Sequence, residues 1–579
     1  MLIALAGVSL FSAASLRAQN SQIVPRLPES TVSFVEWRGS SSLAASSTDN
    51  HVIQLMADPA MAPLWLGLAA NFEKQQRQSK SPAPPLTMPE VVSLLQNPAV
   101  FGAIELPNAS EVSPDGKQPA RMALFVVYDA TGKAALIAQL EAASQTSGPN
   151  PQTITHYDFD GTSVEVRSGK TGESYSALSG NYFFASDNKA TIEQLVTRFS
   201  GAAMPADSIT QRPEYAEVRK FVGSGGAFEF FARMPAMSDV IPSNSKNPNG
   251  EKFLKSIHWD KVSAAGGSVS FAGPAMHLRG AILGDTQPVG PFDIAGASSA
   301  TFRTQAIAGS APEFSVTRLN LAAVYRLFYS AIVPNLPPQQ AASVSAMEGM
   351  AQAFLGMSIP DALDLFTGEM ASATSFSTDG TQEQVFAATI QKPDSVLRIL
   401  RAVLGPMTLA EDTEGDATTL DIAAPYRDPA TGLRRRKMFY VAVTPQMLLV
   451  APRKALLRQL LQEQSGSDAA AVPKSVFADP QYAQLRARMP ASLSGLGYAD
   501  ISEIPWGPVF AKFATQAQES AQAAAQQAAR ASKTGESVRP PDFSWLSLID
   551  PNVIPRHLHM LVSGWWKDNN GVYFESYAQ

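Results

Sequence analysis

Tyr182-Phe-Phe-Ala-Ser-Asp-Asn-Lys189-Ala-Thr-Ile192-Glu-Gln194-Leu195-Val196 reads as a strand running into an amphipathic helix. The pattern returns 265 residues later as Met447-Leu-Leu-Val-Ala-Pro-Arg-Lys454-Ala-Leu-Leu457-Arg-Gln459-Leu460-Leu461. Ile192, Leu195 and Val196 align with Leu457, Leu460 and Leu461, so the apolar faces keep one helical phase. Ser200-Gly201 aligns with Ser465-Gly466 at the same offset, and each Gly is expected to end its helix at positive φ. Agreement of phase and stop signal predicts a tandem duplication.

Three further blocks recur in the same order. Met88-Pro-Glu-Val-Val-Ser-Leu-Leu returns as Ile359-Pro-Asp-Ala-Leu-Asp-Leu-Phe, with Pro and an acid suited to a first helical turn. A strand leading into a helix occurs at Leu124-Phe-Val-Val-Tyr128 before 133–143, and again at Val385-Phe-Ala-Ala-Thr-Ile390 before 394–404. In the later copy Val396, Ile399, Leu400, Val403 and Leu404 share one helical face. Pro213-Glu-Tyr215-Ala-Glu-Val-Arg219 returns as Pro480-Gln-Tyr482-Ala-Gln-Leu-Arg486.

Alternating strands joined by Asp160-Gly161 and by turns such as Asp568-Asn-Asn-Gly571 fill the rest. The expected class is α+β: two tandem copies of a mostly antiparallel sheet, helices on one face, in a ferredoxin-like split βαβ layout with extra hairpins. The first repeat covers residues 27–287 and the second 301–579, with a Gly/Pro/Ala/Ser-rich join between them. Residues 511–533 are an Ala/Gln-rich helical insertion with little to bury, expected to project.

Residues 1–18 read as an export signal: an apolar run from Leu2 to Leu16, then Arg17 and a small residue. No Lys or Arg precedes the run, which suggests a start displaced from the true one. No later stretch is long and uncharged enough to span a bilayer. The location expected is therefore periplasmic or secreted. The chain of 579 residues has no cysteine, which excludes disulfides, thiol nucleophiles and thiolate metal sites. Its formal charge of −6, with 17% charged residues, gives no electrostatic footprint for nucleic acid. The basic run Arg434-Arg-Arg-Lys437 reads as a polar hairpin tip.

The opening strand Leu27-Pro-Glu-Ser-Thr-Val-Ser-Phe-Val-Glu36, the stretch Ala57-Asp-Pro-Ala-Met-Ala-Pro-Leu64, and the blocks at Arg212-Pro-Glu-Tyr215 and Asp479-Pro-Gln-Tyr482 resemble a family of bacterial exported proteins catalogued only as a domain of unknown function. The resemblance implies export and a duplicated α+β architecture over most of the mature chain. It implies no catalytic residue.

Four constellations bear on chemistry. Ser186-Asp-Asn-Lys189 and Lys170-Thr-Gly172 imitate β-lactamase motifs, but two of the three strings share residues, so Ser186 reads as a helix cap. His557 and His559 are the candidate metal ligands: on a strand, residues two apart face one side. His156, Asp158 and Asp160 share a strand face before a turn and read as turn formers. Trp565-Trp566 puts one ring on each sheet face, one buried and one exposed. The function expected is an exported, non-enzymatic protein that binds a protein or small ligand or organises the envelope, without a cofactor, with the first place for a ligand in a cleft between the halves. The alternative is a metal-dependent hydrolase using His557 and His559.

Overall fold

The computed structural model describes residues 22–41, 48–78, 87–106, 122–145, 153–169, 172–201, 203–237, 254–286, 291–309, 311–377, 380–427, 433–465, 476–531 and 540–579. The expected export signal, Lys170 and Gly466 lie outside them.

Among the described residues, twenty strands form one sheet. The earlier ten are β1 Thr31–Trp37, β2 Ala99–Glu105, β3 Met122–Asp129, β4 Thr153–Phe159, β5 Thr162–Gly169, β6 Gly172–Ser179, β7 Tyr182–Ser186, β8 Phe228–Arg233, β9 Val262–Ser270 and β10 Met276–Gly284. The later ten are β11 Glu313–Arg318, β12 Phe366–Phe376, β13 Gln382–Ile390, β14 Thr408–Glu414, β15 Ala417–Arg427, β16 Arg434–Val443, β17 Met447–Ala451, β18 Gly495–Asp500, β19 Met560–Lys567 and β20 Gly571–Ala578. From one edge the order is β4-β5-β6-β7-β3-β2-β1-β8-β9-β10. From the other edge it is β14-β15-β16-β17-β13-β12-β11-β18-β19-β20. Each place in the second series holds the strand ten later in the chain. The series meet where β10 pairs with β20, from Met276↔Ala578 to Leu283↔Gly571.

Every pairing is antiparallel, including β3 with β7, and β1 and β2 separate β3 from β8. The split βαβ layout, which needs a parallel central pair, is therefore not among these pairings. Hairpin turns form as their residues require. Asp160 and Gly161 take φ of 50° and 74° between β4 and β5. Asp568 Oδ1 accepts from the Asn570 and Gly571 amides at 2.7 and 3.1 Å between β19 and β20.

The helices in chain order are α1 His51–Ala57, α2 Ala62–Gln78, α3 Met88–Leu94, α4 Ala134–Gln145, α5 Lys189–Ser200, α6 Pro213–Val222, α7 Leu321–Ile332, α8 Pro338–Leu355, α9 Ile359–Leu363, α10 Pro393–Leu404, α11 Lys454–Ser465, α12 Pro480–Arg486, α13 Trp506–Ala531 and α14 Val553–His557. Ile192, Leu195 and Val196 of α5 are fully buried with Phe184 of β7 in one core. Leu457 and Leu460 of α11 are buried with Leu449 of β17 in a second core. Gly201 closes α5 at φ −80°, in extended backbone and not at the positive φ expected of a glycine stop.

Helices occupy both faces of the sheet, not one. Leu449 and Ala451 point into the core beneath α11, while their neighbours Leu448 and Val450 pack into a separate cluster with Val396 and Leu397 of α10. Strands apolar on both faces gain from a cover on each side. The Ala/Gln-rich helix α13 starts at Trp506, and its first turns are packed. Phe510 and Ala514 join Leu55, Met61, Leu546, Ile549 and Val553 in a cluster drawn from both ends of the chain.

Candidate functional site

His557 does not lie on a strand. It is the last residue of α14, and β19 begins only at Met560, so the alternation that would aim His557 and His559 together does not apply. Pro555 lies within this short helix, and the chain enters the sheet only after it. His557 Nε2 is 2.8 Å from Asp58 Oδ2, and Arg556 donates to the same oxygen at 2.9 Å. Asp58 Oδ1 accepts from the Ala60 amide at 2.8 Å, capping the turn Pro59–Met61. The His557 hydrogen bond, then the Ala60 amide and Arg556, hold the Asp58 carboxyl below its ordinary range. The His559 ring meets His51 edge-on, with centroids 6.5 Å apart. Among the described residues, no three His, Cys, Asp or Glu side chains gather to hold a metal ion.

The remaining sequence candidates are placed as follows. Ser186 Oγ donates to the Leu124 carbonyl at 2.8 Å, and it is Asn188 that caps α5 by accepting from the Thr191 amide. Lys189 sits 4.6 Å from the centre of the Tyr157 ring. Asp158 Oδ1 accepts from the Gly161 amide at 3.2 Å, as a turn former does. Both tryptophans are half-buried: Trp566 stacks on Tyr573 at 5.7 Å, and Trp565 lies where a Cβ on Gly495 would be. Arg434 to Lys437 are exposed along the outer part of the β15–β16 hairpin.

A cavity lies elsewhere. Of about 890 Å³, it lies on the face of β1, β2, β3, β7 and β6 opposite α5. Phe34, Phe125 and Phe184 point to the core, so Val35, Phe101, Leu124, Val126, Phe183 and Ala185 point into the cavity. Three transverse rows build its floor. The first runs Phe228–Trp37–Ala99–Tyr128–Phe183. The second runs Val35–Phe101–Val126–Ala185–Ser176. The third runs Ser33–Ala103–Leu124, continues through the Asp187 carboxylate that accepts the Leu124 amide at 2.9 Å, and ends at Ser174 and Arg167. Leu94 and Leu95 at the end of α3 and Ile137 and Leu140 of α4 complete the wall.

The side of α4 that borders the cavity is formed by Ile137, Leu140 and Glu141, while Ala134, Ala135, Ala138 and Ala142 are exposed. In the second series α10 packs Val396, Leu397, Ile399 and Leu400 onto Leu420, Ile422, Val441 and Val443 of β15 and β16. Phe101 and Leu124 are more than half exposed. Burying such surface is favourable by roughly 25 cal/mol per Å², so the cavity floor is a place where an apolar ligand gains free energy.

One corner is polar. Ser176 Oγ donates to Glu141 Oε1 at 2.7 Å, and Arg167 donates to the Glu141 carbonyl at 3.3 Å and to the Glu165 carboxylate. Burial at the strand end pushes the Asp187 carboxyl up. Burial, then the Glu173 hydrogen bond, pushes the Tyr175 phenol up to about 12. The sequence did carry a signal for this site: Val32 to Val35, Val100 to Ile104 and Leu124 to Val127 place large apolar residues on both strand faces. No protein-family model, curated protein or solved structure matches the chain.

Proposed function

We propose that this is an exported, non-enzymatic binding protein that takes an elongated apolar ligand on the α4 side of the sheet. The cavity carries that reading: its volume lies within the range of pockets for small organic ligands, and its lining is apolar and aromatic with a few converging polar groups. It lies within the first series of strands, not in a cleft between the two. Export is supported by the apolar run at Leu2 to Leu16 and by the resemblance to an exported bacterial family. The repeated strand order, and the shared burial phase of Ile192 and Leu457, support descent of the two series from one duplicated unit.

The test uses Nile red, a neutral fluorophore that brightens in apolar surroundings, with the full chain and with Phe101→Asp and Leu124→Asp. Both side chains are exposed into the cavity, so the substitutions are expected to leave the melting temperature nearly unchanged. Bright, saturable binding to the parent and its loss in both variants supports the proposal. Equal binding by parent and both variants overturns it.

A further inference from the structure

We propose that the ligand of the cavity is a single-chain amphiphile whose head is a cationic amine, held at the corner formed by Asp187 and Glu141. The inference rests on the cavity being the binding site. Polarity changes in one direction across the floor. Among the described residues, the Trp37–Phe228 corner has no charged lining residue, and the aromatic rings of that pair are 4.5 Å apart. The charged lining residues among the described ones are Glu141, Arg167 and Asp187, all at the β5–β6 side. An occupant therefore lies with its chain toward Trp37 and its head toward Asp187.

The sign of that head follows from the charges. Arg167 is already engaged by the Glu165 carboxylate and the Glu141 carbonyl. Among the described residues, three carboxylates on this face, those of Glu141, Glu165 and Asp187, thus accompany one guanidinium. A fatty-acid head would bring a fourth negative charge into a partly desolvated corner, which is a repulsive device against anions. An ammonium offers up to three donors to Asp187 and Glu141, and charge-assisted hydrogen bonds are the stronger kind.

The experiment displaces Nile red from the full chain with dodecylamine, dodecanol and dodecanoate, each below its micellar concentration, at pH 7. The expected order is amine, then alcohol, then carboxylate, with the amine about tenfold tighter than the carboxylate. Asp187→Asn keeps an oxygen to accept the Leu124 amide, and Glu141→Gln keeps the Ser176 contact. Each is expected to shrink the preference for amine over alcohol by about threefold or more. Dodecanoate or dodecanol binding as tightly as the amine, or a preference untouched in both variants, overturns the amine assignment and leaves the apolar cavity standing. Failure of all three to displace a probe that binds the parent shows that the probe sits elsewhere, and removes the cavity reading itself.

Discussion

The imidazole of His277 stacks on the phenol ring of Tyr577 across the β10–β20 seam, centroids 4.2 Å apart and planes 14° from parallel. The two are directly opposite in register, 300 residues apart in the chain. Beside them Arg279 Nε donates to the buried Glu575 carboxylate at 2.9 Å. The two strand series are thus joined by a full antiparallel pairing with its own polar lock. Glu575→Ala leaves Arg279 without this acceptor in a partly buried place. The expected loss is about 1–3 kcal/mol in denaturant unfolding. Glu575→Gln, which keeps the shape and one acceptor, is expected to lose less.

Ile192 and Leu457 are both fully buried or nearly so, on helices that follow matching strands. Leu457→Ala and Ile192→Ala are each expected to cost about 2–5 kcal/mol, through lost burial and the cavity left behind. The residues belong to separate clusters, so the double variant should lose the sum of the two within about 0.5 kcal/mol. Urea unfolding of the three variants measures this.

Asp58 ties the turn Pro59–Met61 to Arg556 and His557 of α14. Its folded-state carboxyl titrates below the ordinary 3.8. A depressed carboxyl stabilises the fold fully above its unfolded value, and that contribution fades as pH falls through the folded one. Asp58→Asn should therefore be less stable than the parent at about pH 5, with the gap closing as pH falls below about pH 4. Melting temperatures across that range read the difference, and a gap that widens in acid would contradict the assignment.

Two glycines at positive φ separate conformational strain from collision. Gly132 has φ +69° with open space around a Cβ, whereas Gly368 has φ +83° and a Cβ there would lie 2.1 Å from the Leu319 carbonyl oxygen. Gly132→Ala is expected to cost about 1–2 kcal/mol, from left-handed backbone alone. Gly368 sits at the β12 bulge, where backbone must shift, so Gly368→Ala should cost more than about 3 kcal/mol. Thermal unfolding compares them directly.

Much of the local structure was legible from residue order. The helix phases at Ile192 and Leu457, the Asp160-Gly161 turn, and the Pro-led helices at Pro213 and Pro480 form where their side chains predict. Each depends on neighbours a few residues away. The candidate site was not legible in the same manner. His557 looked like half of a strand pair, because nothing near it in sequence shows that Asp58 is its partner. The apolar outer faces of β1, β2 and β3 were visible as letters, but an apolar outer face can be covered by a helix, as on β15–β17, or left open. Which of the two occurs depends on where a helix comes to pack, as α10 does there, and residue order does not show that.

The chain by itself determined an α+β protein without disulfide chemistry, with two series of matching helix and turn signals, because propensity, periodicity and capping act over a turn or two of backbone. Tertiary structure alone decided the strand order, that β10 meets β20, and that a cavity opens over the outer face of β1, β2 and β3. Those outcomes depend on volumes and hydrogen bonds between residues hundreds of positions apart, and no local rule reaches so far.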